Sequence, residues 1–326
     1  MSRYFVTGAQ GCIGTWIVRN LVDRNKEVFV YDLDLEPRRI SMLLSQEKLS
    51  NVHFIQGDVT DFKKLSENLQ IHQITHVIHL AGLQVPTCKS NPKLGALVNV
   101  VGTINVFEAA RLLQDQIEGL VYASSAAVFG PEDDYGEALL DESAPLVPRT
   151  HYGVFKHCNE GNARVYFSDH AISSVGLRPY AVYGPGRDFG ITSGPTTAIK
   201  AAVVGQTFEI QFGGPVSMQL VDDTAKTFIA CAESKNKGAR VYNIRGEVVT
   251  VEEVINTIEE VLPNSKGLIS CKDQRIAIAT NFDEQGLKTE LGQVPATSLK
   301  DGIKKTAEIF SRLNGENRLD LSDLST

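Results

Sequence analysis

The chain has 326 residues, of which 42% are hydrophobic and 22% charged, with a formal net charge of −7. That length accommodates one large domain or two modest ones. An acidic chain of ordinary composition lacks the basic face that non-specific nucleic-acid binding needs, and no apolar run is long enough to span a bilayer.

Tyr4–Thr7 is predicted as the first strand, and it leaves no room before it for a signal peptide. The loop Thr7-Gly8-Ala9-Gln10-Gly11-Cys12-Ile13-Gly14 follows, then a helix marked by Ile13, Ile17, Leu21 and Val22. Val28–Tyr31, Val52–Gln56, His76–Leu80 and Leu120–Ser124 are short and rich in Val, Ile, Phe and Tyr. Such runs suit strands buried on both faces of a parallel sheet. Leu97, Val101, Ile104 and Ala109 mark a helix between them, and a further helix (151–168) and strand (174–177) continue the alternation. Strand–helix alternation predicts an α/β fold with a doubly wound parallel sheet. After Gly184-Pro185-Gly186 the elements shorten. Residues 222–234 read as helical, Thr250 is an N-cap for Val251–Leu262, and Ser298 caps Leu299–Leu313. The polar tail after Asn314 is expected to fray. The expected division is therefore 1–184, 185–314 and a tail, 315–326.

The glycine loop joins a strand to a helix. Gly8 allows the tight turn, Gly11 the approach of a pyrophosphate, and Gly14 close packing of helix on strand, while the helix N-terminus offers N–H groups to phosphates. Asp32, at the end of the second strand, suits a ribose. Its carboxylate accepts from both hydroxyls and repels a 2′-phosphate, so NAD is favoured over NADP, with Arg38 and Arg39 further along. Tyr152 and Lys156 stand one helical turn apart on one face. Tyrosine titrates near 10, so working as a base near neutrality needs a fall of roughly three units; a neighbouring ammonium favours the anion. Ser125, just past the fifth strand, can hold a substrate oxygen beside the tyrosine. The five cysteines (Cys12, Cys88, Cys158, Cys231 and Cys271) are scattered without a C-x-x-C pair. They read as reduced thiols in a cytoplasmic protein, with no disulfide frame and no metal site.

Several further motifs accompany these: Gly57-Asp58-Val59-Thr60-Asp61, His79-Leu80-Ala81-Gly82, Asn99 with Gly102-Thr103, Ser124 to Gly130, and Arg178-Pro179-Tyr180 before Val182-Tyr183-Gly184-Pro185-Gly186. With them the chain resembles the extended short-chain dehydrogenase/reductases, the NAD-dependent epimerase/dehydratase branch. The resemblance implies a Rossmann-type sheet with a smaller C-terminal α/β substrate-binding domain, and a homodimer paired through helices near 91–113 and 151–168. It implies that Asp58 and Val59 flank the adenine. Leu80, Ala81 and Gly82 would line the cofactor together with Cys12, Ile13 and Pro179, and Asn99 would lie near it. Ser125, Tyr152 and Lys156 take the catalytic positions, and Lys156 would also hold the ribose.

Departures narrow the chemistry. Where the family's dehydratases carry an Asp-Glu pair, this chain has Ala126 and Ala127, which transfer no proton. The stretch from Pro215 to Asp223 lacks the Arg that holds a diphosphate in many sugar-nucleotide epimerases. Gln84 stands where relatives often have Lys. Arg187 can pair with a substrate carboxylate or phosphate, or with Asp188 instead; Thr192 and Ser193 can bind hydroxyls. The expected activity is NAD-dependent oxidation of a secondary hydroxyl on a sugar, sugar acid or polyol-like small molecule. The alternatives are a nucleotide-sugar epimerase with transient oxidation and a non-catalytic NAD-binding regulator.

Overall fold

The computed structural model describes residues 2–235 and 237–324. Twelve strands run in chain order among them. The first six are β1 (Arg3–Thr7), β2 (Glu27–Asp32), β3 (Val52–Gln56), β4 (His76–His79), β5 (Gly119–Ala123) and β6 (Ser174–Arg178). The rest are β7 (Ala181–Tyr183), β8 (Phe208–Ile210), β9 (Pro215–Leu220), β10 (Ala239–Asn243), β11 (Glu247–Thr250) and β12 (Ile269–Cys271). Seven of them form one sheet in the order β10-β6-β5-β4-β1-β2-β3, and every pairing in it is parallel.

Alternation along the strands explains the two covered faces. Val6, Val28, Val30, Ile78 and Val121 point to one side and pack with Ile17 and Leu21 of the first helix. Phe5, Phe29, Tyr31, Val77 and Tyr122 point to the other, against Leu65 and Phe107. Both faces are apolar, so neither tolerates water, and helices cover both. Strand order reverses between β1 and β4, which leaves a crevice beyond their carboxyl ends.

A second core gathers Tyr183, Ile199, Phe212, Met218, Ile258 and Phe310. It is covered by a three-stranded sheet, β11-β9-β7, and a pair, β12-β8. A cut at 184 does not separate the two cores. The helix Val221–Glu233 lays Val221, Phe228 and Ile229 into the first core, and β10 pairs with β6 as the sheet's edge. The connection between β4 and β5 is also not one regular helix: a π turn, Leu97–Val101, interrupts it before Gly102–Leu112.

The tail differs from expectation. The last long helix runs Leu299–Gly315, and residues 316–324 then fold back instead of fraying, while 325–326 of the expected tail lie outside the described residues. Arg318 Nη2 donates to the Ser41 carbonyl at 2.6 Å. Lys200, only 6% exposed, donates to both Asp323 oxygens at 2.7 and 2.8 Å and to the Asp320 carbonyl at 3.0 Å. A buried ammonium demands a counter-charge, and the tail supplies it. No described helix is long and apolar enough to cross a membrane.

Candidate active site

The crevice beyond β1 and β4 holds a cavity of about 390 Å³, within the roughly 300–1,000 Å³ usual for small-molecule sites. Backbone builds its inner end. Gly8 has φ +64°, and a Cβ there would lie 2.6 Å from the Ala81 nitrogen, so only a glycine lets the loop after β1 rest on the loop after β4. Gly11 caps the helix Cys12–Asp23 without any side-chain hydrogen bond. The first-turn N–H groups around Cys12, Ile13 and Gly14 are thus left for a ligand, and all three residues line the cavity with Gly8 and Gly11.

Asp32 Oδ2 accepts from Gln10 N–H and Oδ1 from Leu33 N–H, at 2.9 and 2.8 Å. Burial pushes its carboxyl above the ordinary value, and these two N–H donors and Arg39 oppose that push. Asp58 accepts from Thr60 N–H at 2.8 Å. It lines the far wall with Val59, while Leu80, Ala81, Gly82 and Pro179 line the middle. A dinucleotide suits this set: open N–H groups for its phosphates, a carboxylate for its ribose, and a glycine loop that rests on the Leu80–Ala81 backbone.

The second part of the site lies where the helix His151–His170 starts. Thr150 caps it by accepting from Gly153 N–H at 3.0 Å. A Cβ on Gly153 would sit 2.1 Å from the Ala127 carbonyl oxygen. Only a glycine therefore brings this helix against the turn that carries Ser125, whose Oγ accepts from Ala127 N–H at 3.1 Å, and Tyr152 and Ser125 both line the cavity. Burial pushes the Tyr152 phenol up, while the neighbouring Ser125 hydroxyl and the Arg187 charge pull it down. Lys156 is 5% exposed; burial lowers its ammonium to about 8. Its Nζ donates to the Ala123 carbonyl at 2.7 Å and lies 5.5 Å from the Tyr152 ring centre. Beneath them, Glu160 of the same helix accepts from Ser124 Oγ at 2.5 Å and from Arg178 at 2.8 and 2.7 Å. This buried network ties the helix to β5 and β6 immediately beside Ser125. Glu160 stands two helical turns beyond Tyr152, a spacing that the sequence displays but to which no motif assigns a role.

At the outer end, Gln84, Arg187 and Thr192 line the cavity. Arg187 does not pair with Asp188. Its Nη2 donates to Thr192 Oγ1 at 2.8 Å and its Nη1 to Gln84 Oε1 at 3.4 Å, and Nε is buried without a partner. Asp188 instead binds Arg39. Two expected residues do not line this cavity. Ser193 turns back and donates to the Gly190 carbonyl at 2.8 Å, because the loop's tight turn leaves that carbonyl nearest to its hydroxyl. Asn99, in the π turn, is fully buried and clamps Leu83, accepting from its N–H at 2.6 Å and donating to its carbonyl at 2.9 Å. It shapes the Leu80–Gln84 loop from behind. Conversely, Ile191 and Ile278 line the cavity although no site role was expected of them, as does Tyr180, which entered only as part of a motif; Ile278 arrives from a distant irregular segment with no periodicity to announce it.

Comparison with known proteins agrees with this geometry. The profile of the NAD dependent epimerase/dehydratase family matches residues 4–244. A UDP-glucose 4-epimerase of Mycolicibacterium smegmatis is 28% identical, over 94% of this chain and 98% of its own. Among solved structures, the Thermus thermophilus UDP-glucose 4-epimerase in complex with NAD is 25% identical, with a TM-score of 0.78 over 94% of this chain and 98% of its own. A monomeric L-threonine 3-dehydrogenase from a metagenome is 22% identical, with a TM-score of 0.82 over 95% of this chain and 99% of its own. That last likeness concerns the fold alone, and a fold shared by such different enzymes does not select a substrate.

Proposed function

Since the chain belongs to the NAD-dependent epimerase/dehydratase family and is an NAD-dependent enzyme, we propose that it oxidises a secondary hydroxyl on a sugar-sized substrate carrying one anionic group, such as a sugar acid. The observation that carries this reading is Arg187. Among the described residues no carboxylate stands within ion-pair distance of it, its Nε lacks a partner, and its charge acts on Tyr152. An uncompensated guanidinium beside the base suits a carboxylate or phosphate on the substrate. Lys156 and Arg187 are the cations lining this cavity. Val216, Ser217, Met218 and Gln219 are buried in the core, so β9 offers no charge for a diphosphate.

Tyr152, as phenolate, removes the hydroxyl proton, and Ser125 holds the substrate oxygen beside it. Lys156 favours the phenolate when charged and holds the nearby ribose. Bound NAD supplies the hydride acceptor. Gly8, Gly11, Asp32, Asp58 and the residues between them bind it, with Asn99 acting through the Leu83 loop. Ala126 and Ala127 are buried and carry no proton to transfer, which disfavours dehydration. A second reading, 4-epimerisation of a nucleotide sugar, is favoured by the full-length similarity to the mycobacterial epimerase.

The deciding assay incubates the protein with NAD and a panel of neutral sugars, sugar acids and UDP-sugars. Growth of NADH absorbance on sugar acids is expected. Isomer formation without NADH would reject net oxidation in favour of the second reading. The Tyr152→Phe variant should lose roughly 10²–10⁴ in turnover while still binding NAD; retained activity would reject the assigned base.

A homodimer and a cytoplasmic location belong to the same proposal. The dimer is supported by exposed Leu94, Leu97 and Val101 on one connection and Val154 and Val165 on the helix His151–His170, an apolar face that a second copy can cover. A monomer in sedimentation at micromolar concentration would count against it. All five cysteines are free, which suits a reducing compartment.

A further inference from the structure

Arg39 stands beside the ribose end of the cleft, yet its strongest partner comes from the other half of the chain. Its Nε and Nη2 donate to Asp188 at 2.8 and 2.6 Å, across 149 residues of sequence. Its Nη1 donates to the Gln10 carbonyl at 2.9 Å. Gln10 in turn gives its N–H to Asp32 at 2.9 Å. Arg39 also lies near the start of the glycine-loop helix, since both flank Gly186: a Cβ built there would find Arg39 Cδ at 3.5 Å and Cys12 Cα at 3.7 Å. Asp32, Arg39 and Asp188 therefore form a row in which two carboxylates outweigh one guanidinium.

We propose that Asp188 is a cofactor-specificity residue, which holds and neutralises Arg39 and so denies a ribose 2′-phosphate the guanidinium standing beside Asp32. A guanidinium fork serves one oxyanion bidentately at a time, and here Asp188 occupies it. Without Asp188 the row is neutral, and Arg39 is free to meet a 2′-phosphate lying between itself and Asp32. Asp32 then excludes the 2′-phosphate directly, and Asp188 excludes it by removing the charge that would compensate. Because the pair is about one-third exposed at each partner (34% and 37%), its field reaches the ribose position only partly screened. This inference rests on the reading of Asp32 as the ribose-binding acid.

The test is calorimetric titration of the full chain with NAD and with NADP, which needs no knowledge of the substrate. Asp188→Asn should raise the affinity for NADP relative to NAD about tenfold at low salt, with the gain shrinking as salt is added. Asp188→Glu, which keeps the charge, should keep the parental ratio. Arg39→Ala with Asp188→Asn should lose the gain, since the freed guanidinium is what creates it. A ratio within twofold of the parent in Asp188→Asn overturns the proposal. So does a gain that survives in the double variant, or an equal weakening of both ligands, which would make the pair only a tether. Asp32→Asn tests the underlying reading separately: unchanged NAD affinity there would remove Asp32 from the ribose, whatever the Asp188 variants do.

Discussion

At the inner end of the cleft the contacts are between backbones. Gly8 rests on Ala81, and Gly153 rests on the Ala127 carbonyl, each at a distance that no side chain survives. At the outer end the contacts are between the tips of long side chains. Arg187 reaches Gln84 across 103 residues at 3.4 Å and leaves its Nε unbonded. Backbone contacts fix geometry without losing rotamer freedom, whereas a long side chain must be ordered each time it binds. The difference suits a cofactor that is always the same and a substrate that diverges among relatives sharing the fold.

The sharpest way to break this contrast is to add one methyl group at the inner end. Gly153→Ala places a Cβ against the Ala127 carbonyl, so the helix His151–His170 must back away from the Ser125 turn. We expect a loss of about 3 kcal/mol in stability from overpacking. Turnover should also fall more than about a hundredfold, because a proposed base displaced by a fraction of an ångström no longer meets the substrate hydroxyl beside Ser125. Denaturant unfolding and kcat are the measurements. A variant with normal stability and turnover would mean that this end is as yielding as the outer one.

The same contrast governs how much of the site is legible in the sequence. Gly8 to Gly14 fall in one loop, Asp32 ends the next strand, and Tyr152 and Lys156 stand one helical turn apart, so local spacing alone reveals the geometry within each group. The seven-stranded sheet was legible for the same reason as far as β6, since each strand follows from a local run of β-branched and aromatic residues. Its edge strand, β10, was not, because nothing local says which strand it will neighbour. Arg39 with Asp188, Glu160 with Arg178, and Lys200 with Asp323 are partners over longer separations. Charge in a tail or loop reads as solvation until packing supplies a buried opposite charge. Ser193 shows the converse failure: a hydroxyl in a plausible loop satisfied its own turn instead of the cavity.

A pH experiment probes the rigidity of the inner end at smaller amplitude. His79 is buried between Thr7 Oγ1 at 2.7 Å and Thr103 Oγ1 at 3.0 Å, below the loop that lines the cofactor region. Burial, with a lesser push from Lys156, lowers its imidazole from 6.5 to about 3. Between those values the unfolded chain binds a proton that the folded chain refuses, so stability rises with pH across that window and is lost as pH falls through it. By pH 4.5 the loss should be about 2–3 kcal/mol from this residue. Comparison of His79→Gln with the parent at pH 7 and pH 4.5 isolates it from the carboxylates. The parent's advantage should shrink by that amount, and a constant gap between the two would show that His79 accepts its proton without unfolding.

The smallest expected effect lies at the outer end and is confined to binding. Arg187→Gln should leave the NAD affinity unchanged, because none of the glycine-loop or Asp32 contacts involve it. It should raise KM for a carboxylate substrate about 10- to 100-fold, the worth of a charge-assisted hydrogen bond. A neutral analogue should lose little, since the Thr192 and Gln84 groups can still hydrogen-bond a hydroxyl. The guanidinium charge also pulls the Tyr152 phenol down. Its removal therefore raises that phenol, and the rising limb of the oxidation rate should move to higher pH. Arg187→Lys should restore part of the pH limb but not the KM, because an ammonium carries the charge without the fork. Equal losses on neutral and acidic substrates would assign Arg187 to loop architecture and remove the anionic group from the substrate.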